Sequence, residues 1–340
     1  MKSLYCLAAT AVFWSATLEP AEAQSIDALL KRYSTQEWRR DVGEPVIRLG
    51  APGDFDDTHV LSPCVAKIGR RYFLWYVGSR GNVADRVFRL GLAVSDDGRE
   101  FQKHASGPVL QFSDGKRSIL TPTLLAQNNG VPVRENGKLR MWFAATDFHD
   151  PAALHTLHDA TSEDGLTWTA PSEPLLRDVY APSVVHDGDQ YRLWYTDVAA
   201  KRWCIRHAVS RNGRDWQVDV DPVLEIDQPW ETGRLFYPTV RKVDGGYVMW
   251  YGAYWKGPSQ KTALGTAVSV DGRRWTKSPM NPIFRPDESR AWESHYTTSQ
   301  SLMQLDDGSW RIWYASRAKP PFIHKYFAIG TAIWPASAEN

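Results

Sequence analysis

Net charge, cysteine and long apolar runs are all in short supply in this chain. Forty Lys and Arg stand against 39 Asp and Glu, for a formal charge of +1. The two signs are interspersed, so there is no field to gather nucleic acid or hold an anionic membrane, and neither is an expected partner. Three cysteines in 340 residues exclude a disulfide scaffold. Cys6 falls in a segment that is removed, while Cys64 and Cys204 lie in different sequence units and each reads as a small core residue. The one sustained apolar run, about Leu4 to Trp14, is too short for a membrane anchor. Lys2 before it and "AEA" after it make residues 1–23 a signal peptide cleaved near Ala23, with a periplasmic or extracellular destination. His59, His149 and His295 match no metal-ligand spacing, so no metal or cofactor set is expected. Helical periodicity is missing too, apart from a short stretch at "SIDALLKRY".

Aromatic residues, by contrast, are abundant: 16 Trp, 14 Tyr and 12 Phe. They recur in register. Five short strands begin "SPCV" (62–65), "TPTL" (121–124), "APSV" (181–184), "YPTV" (237–240) and a divergent "TTSQSL" (297–302). Each is followed by an aromatic strand, "YFLWYVG", "LRMWFAA", "YRLWYTD", "YVMWYGA" or "WRIWYAS", and then by a third such as "LGLAVS" or "LGTAVS". A tight Ser-x-Asp/Asn-Gly turn leads to an aromatic residue and "PVL", the fourth strand. Four strands per unit and five units predict an all-β, five-bladed propeller of four-stranded antiparallel blades, because one blade cannot bury both its faces alone. The blades span about 58–110, 117–176, 178–225, 232–284 and 293–335 of a single domain, 24–340. The fifth unit lacks its last strand, and residues 36–50, "QEWRRDVGEPVIRLG", have the missing pattern. The N-terminal strand is therefore expected to close the ring.

In such a blade the 1→2 and 3→4 turns share one face, and these are mostly short. The blade-to-blade loops and 2→3 loops share the other, and they carry the chemistry-bearing side chains. Candidate catalytic residues there are Asp56, Asp57, Asp178, Glu231, Glu293 and His295. Candidate binding residues are Asp54, Arg80, Asp147, His149, Tyr180, Asp197, Trp230, Tyr237, Trp255 and Arg317. Carboxylates among aromatic side chains around the mouth of a ring suit glycoside hydrolysis, in which one acid protonates the leaving oxygen and a second activates water or attacks carbon, roughly 5 to 10 Å away.

The five-unit pattern, with "FDDTHVLSPCVAKIGRRYFLWYVG" leading blade 1 and turns such as "SVDGRRW", resembles the five-bladed propeller glycosidases, the superfamily of glycoside hydrolase families 32, 43, 62, 68, 117 and 130. The likeness runs from about residue 36 to 335. It implies an Asp on blade 1 as base or nucleophile, matched here by Asp57 or Asp56. It further implies an orienting Asp, matched by Asp178 or Asp147, and an acid matched by Glu231. It also admits a structural Ca²⁺ at the axis. Families 32 and 43 commonly place Asp before the proline of the first strand, whereas this chain has Ser62, Thr121, Ala181 and Tyr237 there. The resulting expectation is an exported glycoside hydrolase working by inversion on an oligo- or polysaccharide. Two alternatives are a sialidase-like enzyme, suggested by "SEDGLTW", and a carbohydrate-binding propeller without catalysis, suggested by the missing Asp-Pro.

Overall fold

A computed structural model describes residues 20–104, 107–201, 203–255, 261–319 and 327–336. Blade 1 comprises β1 (His59–Ile68), β2 (Arg71–Ser79), β3 (Arg89–Ser95) and β4 (Gln102–Lys103). Blade 2 comprises β5 (Ser118–Leu124), β6 (Leu139–Thr146), β7 (Thr156–Ser162) and β8 (Leu176–Arg177). Blade 3 has β9 (Val179–Asp187), β10 (Gln190–Asp197), β11 (Cys204–Ser210) and β12 (Gln217–Val218). Blade 4 has β13 (Leu235–Val243), β14 (Gly246–Trp255), β15 (Lys261–Ser269) and β16 (Thr276–Lys277), and blade 5 has β17 (Tyr296–Gln304), β18 (Trp310–Arg317) and β19 (Phe327–Trp334). Each sheet is antiparallel in chain order. The five innermost strands, β1, β5, β9, β13 and β17, touch one another in a closed circle.

The expected five-bladed propeller is thus observed, and the N-terminal segment closes it. Arg39 N–H donates to Ile333 O at 2.7 Å and Val46 N–H to Ile329 O at 2.8 Å, which adds a fourth strand to the outer edge of blade 5. Arg311 of β18 holds Asp41 of this segment at 3.0 and 2.8 Å. Helix α1 (Pro20–Tyr33) precedes it, and its Ile26, Leu29 and Tyr33 bury themselves in a cluster with Val248, Trp250 and Val268. These three residues follow the expected cleavage point at Ala23, while most of the expected signal, residues 1–19, lies outside the described residues. Cys64 and Cys204 are buried free thiols.

The repeated Ser-x-Asp/Asn-Gly phrase is a turn built four times alike. In the first, Ser95 Oγ accepts the Gly98 N–H at 2.9 Å, and Asp97 accepts the Arg99 and Glu100 N–H groups at 2.8 and 2.9 Å. The glycine has φ of +73°, and a Cβ there would also crowd Trp313 of the neighbouring blade at 3.2 Å. That neighbour explains the second half of the pattern. The fully buried Trp of each second strand donates its indole N–H to the turn glycine of the next blade. Trp75 bonds Gly165 O at 2.9 Å, Trp142 bonds Gly213 O at 2.8 Å, Trp194 bonds Gly272 O at 2.8 Å and Trp313 bonds Gly98 O at 2.9 Å. Among its described residues blade 5 has no such turn, and Trp250 instead donates to Gln36 Oε1, on the closing segment, at 2.9 Å.

Removing that acceptor leaves a buried indole N–H unsatisfied, which costs about 1–3 kcal/mol. Gln36→Ala is therefore expected to lower the urea unfolding midpoint by a corresponding amount, whereas Glu37→Ala, which alters an exposed side chain, is expected to leave it unchanged. The closure also has a pH signature. Burial works to raise the Asp41 carboxyl, but Arg311 and Arg99 outweigh it and hold the group below its ordinary 3.8. A carboxyl depressed in the folded state adds stability above its unfolded pKa and loses it as pH falls through the folded value. The stability gap between wild type and Asp41→Asn, read from urea midpoints, is expected to be full at about pH 6 and to close below about pH 4.

Candidate active site at the axial mouth

Three of the expected catalytic acids occupy the same structural position in three blades, and it is not the axis. Asp56 accepts the Tyr76 O–H at 2.8 Å and Lys103 Nζ at 2.6 Å. Glu231 accepts the Tyr251 O–H at 2.7 Å and Lys277 Nζ at 2.8 Å, along with the N–H groups of Asp227 and Gln228 at 3.0 and 3.2 Å. Glu293 accepts the Tyr314 O–H at 2.6 Å and is ion-paired with Arg40, with Arg290 at 3.5 Å. In each case the tyrosine lies on the second strand, while the lysine lies on the fourth strand or the arginine on the closing segment that replaces it. The aromatic residue before each acid, Phe55, Trp230 or Trp292, lies against a third-strand glycine directly opposite the tyrosine. A Cβ on Gly91, Gly265 or Gly330 would meet those rings at 2.5, 2.7 and 2.6 Å. The unit is a buried tether that clamps the loop entering the blade onto the outer part of the sheet.

This placement gives Asp56, Glu231 and Glu293 a structural role as loop anchors that the sequence did not suggest. Their side chains are 2%, 0% and 0% exposed, engaged by their own loop and sheet partners. Burial, and then the neighbouring Glu231 and Glu293 carboxylates, push the Tyr251 and Tyr314 hydroxyls far above their ordinary value, so both remain donors. Burial also raises Glu293, against the pull of Arg40 and Tyr314. Trp230, expected to meet sugar, is half-buried in its tether and donates to Gln228 Oε1 at 2.7 Å. The other loop candidates are distributed as follows. Asp54 is exposed and accepts the Ala51 N–H at 2.8 Å within its own turn. Asp57 accepts Gly53 N–H at 2.8 Å, Gly81 N–H at 3.2 Å and Thr58 O–H at 2.7 Å. Asp197 is paired with Arg206 at 2.7 Å, and Asp147 with His149 at 3.2 Å. Trp255 lies under the Arg285 guanidinium, 5.2 Å from its ring centre, Arg80 is exposed, and His295 Nδ1 meets Ser294 Oγ at 2.9 Å.

What the structure does bring together at the mouth of the ring is a wall of hydroxyls and aromatic faces. Tyr180 O–H and Tyr237 O–H are 2.6 Å apart, and Tyr296 is an electrostatic neighbour of the Tyr237 hydroxyl. Arg317 lies 4.9 Å from the Tyr296 ring centre, His155 and Trp203 stand edge-on to Tyr180 at 5.3 and 5.9 Å, and Arg234 covers Trp203 at 4.3 Å. Burial lowers His155 to about 4, which leaves it neutral at physiological pH. Asp178 stands two residues before Tyr180, in the left-handed region at φ +62°, and among the described residues its carboxylate has no hydrogen bond or ion pair. Tyr296, His155 and Trp203 were not singled out in the sequence, although each adjoins a loop that was.

Below this mouth the axis is a narrow channel lined by the residues at and after the pre-proline positions. Ser62, Thr121, Ala181, Tyr237 and Ser299 all have φ between +46° and +59°, at the bulge where each inner strand slips register against its neighbour. The channel lining contains no carboxylate and one guanidinium, Arg241. A Ca²⁺ at the axis does not fit this donor set, because that ion takes six to eight oxygens, with carboxylates prominent among them. The described residues contain no cluster of three metal-ligating side chains.

Comparison with solved structures places this geometry in context. A glycoside hydrolase superposes with a TM-score of 0.69 at 18% identity, covering 93% of this chain and 97% of its own. A structure from the GH130 family of mannoside phosphorylases, described as containing glycoside hydrolases that target β-1,2 mannosidic linkages in Candida mannan, gives 0.67 at 16% identity over 91% and 97%. A thermostable family-43 glycoside hydrolase gives 0.62 at 20% identity over 84% and 91%. The chain has the propeller fold of these glycoside hydrolases. An uncharacterized protein of Mycobacterium tuberculosis, Rv1502, is 27% identical over 237 residues, which is 66% of this chain and 76% of that protein. No family model matches the chain.

If Glu231 is a tether, its removal is a stability event. Breaking a buried pair by removing one partner costs about 3–5 kcal/mol, whereas replacing both partners by apolar groups is often neutral. Glu231→Gln is expected to destabilise the protein by that order, and Glu231→Leu/Lys277→Met/Tyr251→Phe to recover part of it, as measured by thermal and urea unfolding.

Proposed function

We propose that this protein is an exported glycoside hydrolase that holds a saccharide at the axial mouth and cleaves it there. What supports the reading is the hydrogen-bonded Tyr180–Tyr237 pair with Tyr296 as its neighbour, and an Asp178 carboxylate two residues before Tyr180 that has no hydrogen bond or ion pair among the described residues. Aromatic faces and hydroxyls take up the apolar side and the hydroxyl edge of a sugar ring. Asp178 activates water, or meets the positive charge that develops at the anomeric carbon. The Asp147–His149 pair, on the same face, is the group suited to pass a proton to the leaving oxygen, which would complete an inverting pair. The propeller fold shared with glycoside hydrolases supports this reading, and residues 1–23 support export.

A second reading, a propeller that binds saccharide without cleaving it, is favoured by one specific observation: none of the five pre-bulge positions on the axis is acidic. The two separate cleanly. Asp178→Asn is expected to reduce release of reducing ends from a responsive glycan by about 100-fold or more while its binding stays within a few-fold. Unchanged turnover would remove Asp178 from the mechanism. A wild type that binds but cleaves none of a broad glycan panel, and loses binding in Tyr180→Ala, would establish the second reading.

A further inference from the structure

The axial channel is floored. The long 1→2 connection of blade 2 crosses the turn face: Lys67 N–H donates to Gly130 O at 2.8 Å, Gln304 N–H to Asn128 O at 2.8 Å, and Asn128 Nδ2 to Lys242 O at 2.6 Å. It thereby joins blades 1, 5 and 4, and Ala126 and Gly130 become part of the channel wall. Just above this floor, four inner strands present Ala66, Leu125, Val185 and Met303, while the fifth presents Arg241. Its guanidinium donates only to neutral carbonyls, Val240 O at 3.0 Å and Leu302 O at 2.7 Å. Its Nε is buried without a partner, and no carboxylate pairs with it among the described residues. Burial pushes this arginine down to about 10 and the adjacent Cys64 thiol up to about 12, so the thiol is neutral and supplies no counter-charge.

Arg241 is half-buried, lining the channel on one side and a groove of the turn face on the other, and a partly desolvated cation with no counter-charge is stabilised by an anion beside it. The walls suit one. Ser183 Oγ accepts the Val240 N–H at 2.9 Å, Ser301 Oγ the Val65 N–H at 3.0 Å, and Thr121 Oγ1 the Ala181 N–H at 3.1 Å. A hydroxyl that accepts in this way keeps its own proton to donate. The channel is narrow, with room for more than one water-sized species among its hydroxyls. We propose that the floored axial channel binds a monovalent inorganic anion of the halide class, next to Arg241 and among the inner-strand hydroxyls, as a plug that completes the ring.

The test uses the full chain and two readouts. Thermal unfolding is followed in sodium chloride and in sodium bromide against sodium gluconate of equal ionic strength, gluconate being too large for the channel. Wild type is expected to gain roughly 2–4 °C in Tm as chloride reaches about ten times its dissociation constant. Arg241→Met is expected to lose that gain while remaining folded. Crystals of wild type grown in bromide are expected to show an anomalous peak in the channel beside Arg241. An empty channel in those crystals overturns the proposal, as does a halide response that survives in Arg241→Met. Should that variant fail to fold, the bromide crystal decides alone.

Discussion

One hydrogen bond, repeated around a circle, holds this structure to its shape. Each blade offers a buried tryptophan N–H to a carbonyl at the edge of the next, and the bond forms only if the receiving turn has a glycine at positive φ and the two blades meet at the angle that five-fold closure sets. A buried indole N–H without an acceptor is destabilising, so the ring cannot tolerate a blade without a latch. Among the described residues blade 5 has no such turn, and the chain answers with Gln36, contributed from 214 residues before the tryptophan it receives. The N-terminal segment is for that reason a structural part of the wheel. Through Arg40, which reaches Glu293, the closure of the ring extends to the loop entering blade 5 on the opposite face.

That coupling changes how the acids of the decorated face are understood. A carboxylate that accepts a tyrosine O–H and a lysine Nζ, with no exposed surface, has everything required of a loop anchor and nothing required of a proton donor to substrate. The three tethers keep the loops entering blades 1, 4 and 5 in place, while blades 2 and 3 differ: His158 stacks on Phe143, and Arg206 stands opposite Tyr195 to pair with Asp197. Asp178 belongs to this second, untethered kind of blade.

The repeat was legible because its signals are short-range: a turn phrase, an aromatic pair and a proline recur at fixed spacing, and each has a local physical cause. The closing strand was legible for the same reason. The tether was not, because its members are far apart in sequence, and a structural acid in a polar loop looks like a catalytic one until its partners are seen. A signal did exist: acid and tyrosine are separated by 20, 20 and 21 residues in blades 1, 4 and 5, with an aromatic residue always before the acid. Repetition of an acid in three blades points to architecture, since a catalytic pair would break the symmetry of the repeat. Tyr237 and the lone Arg241 are such breaks, and both line the axial channel.

The central claim is that function resides at the axial mouth and not among the tethered acids at the edges of the blades. A crystal structure with a bound oligosaccharide tests it most directly. The account predicts sugar density against Tyr180, Tyr237 and Tyr296 within reach of Asp178. Sugar seated in contact with Glu231 or Glu293, with the tether opened to admit it, would contradict it.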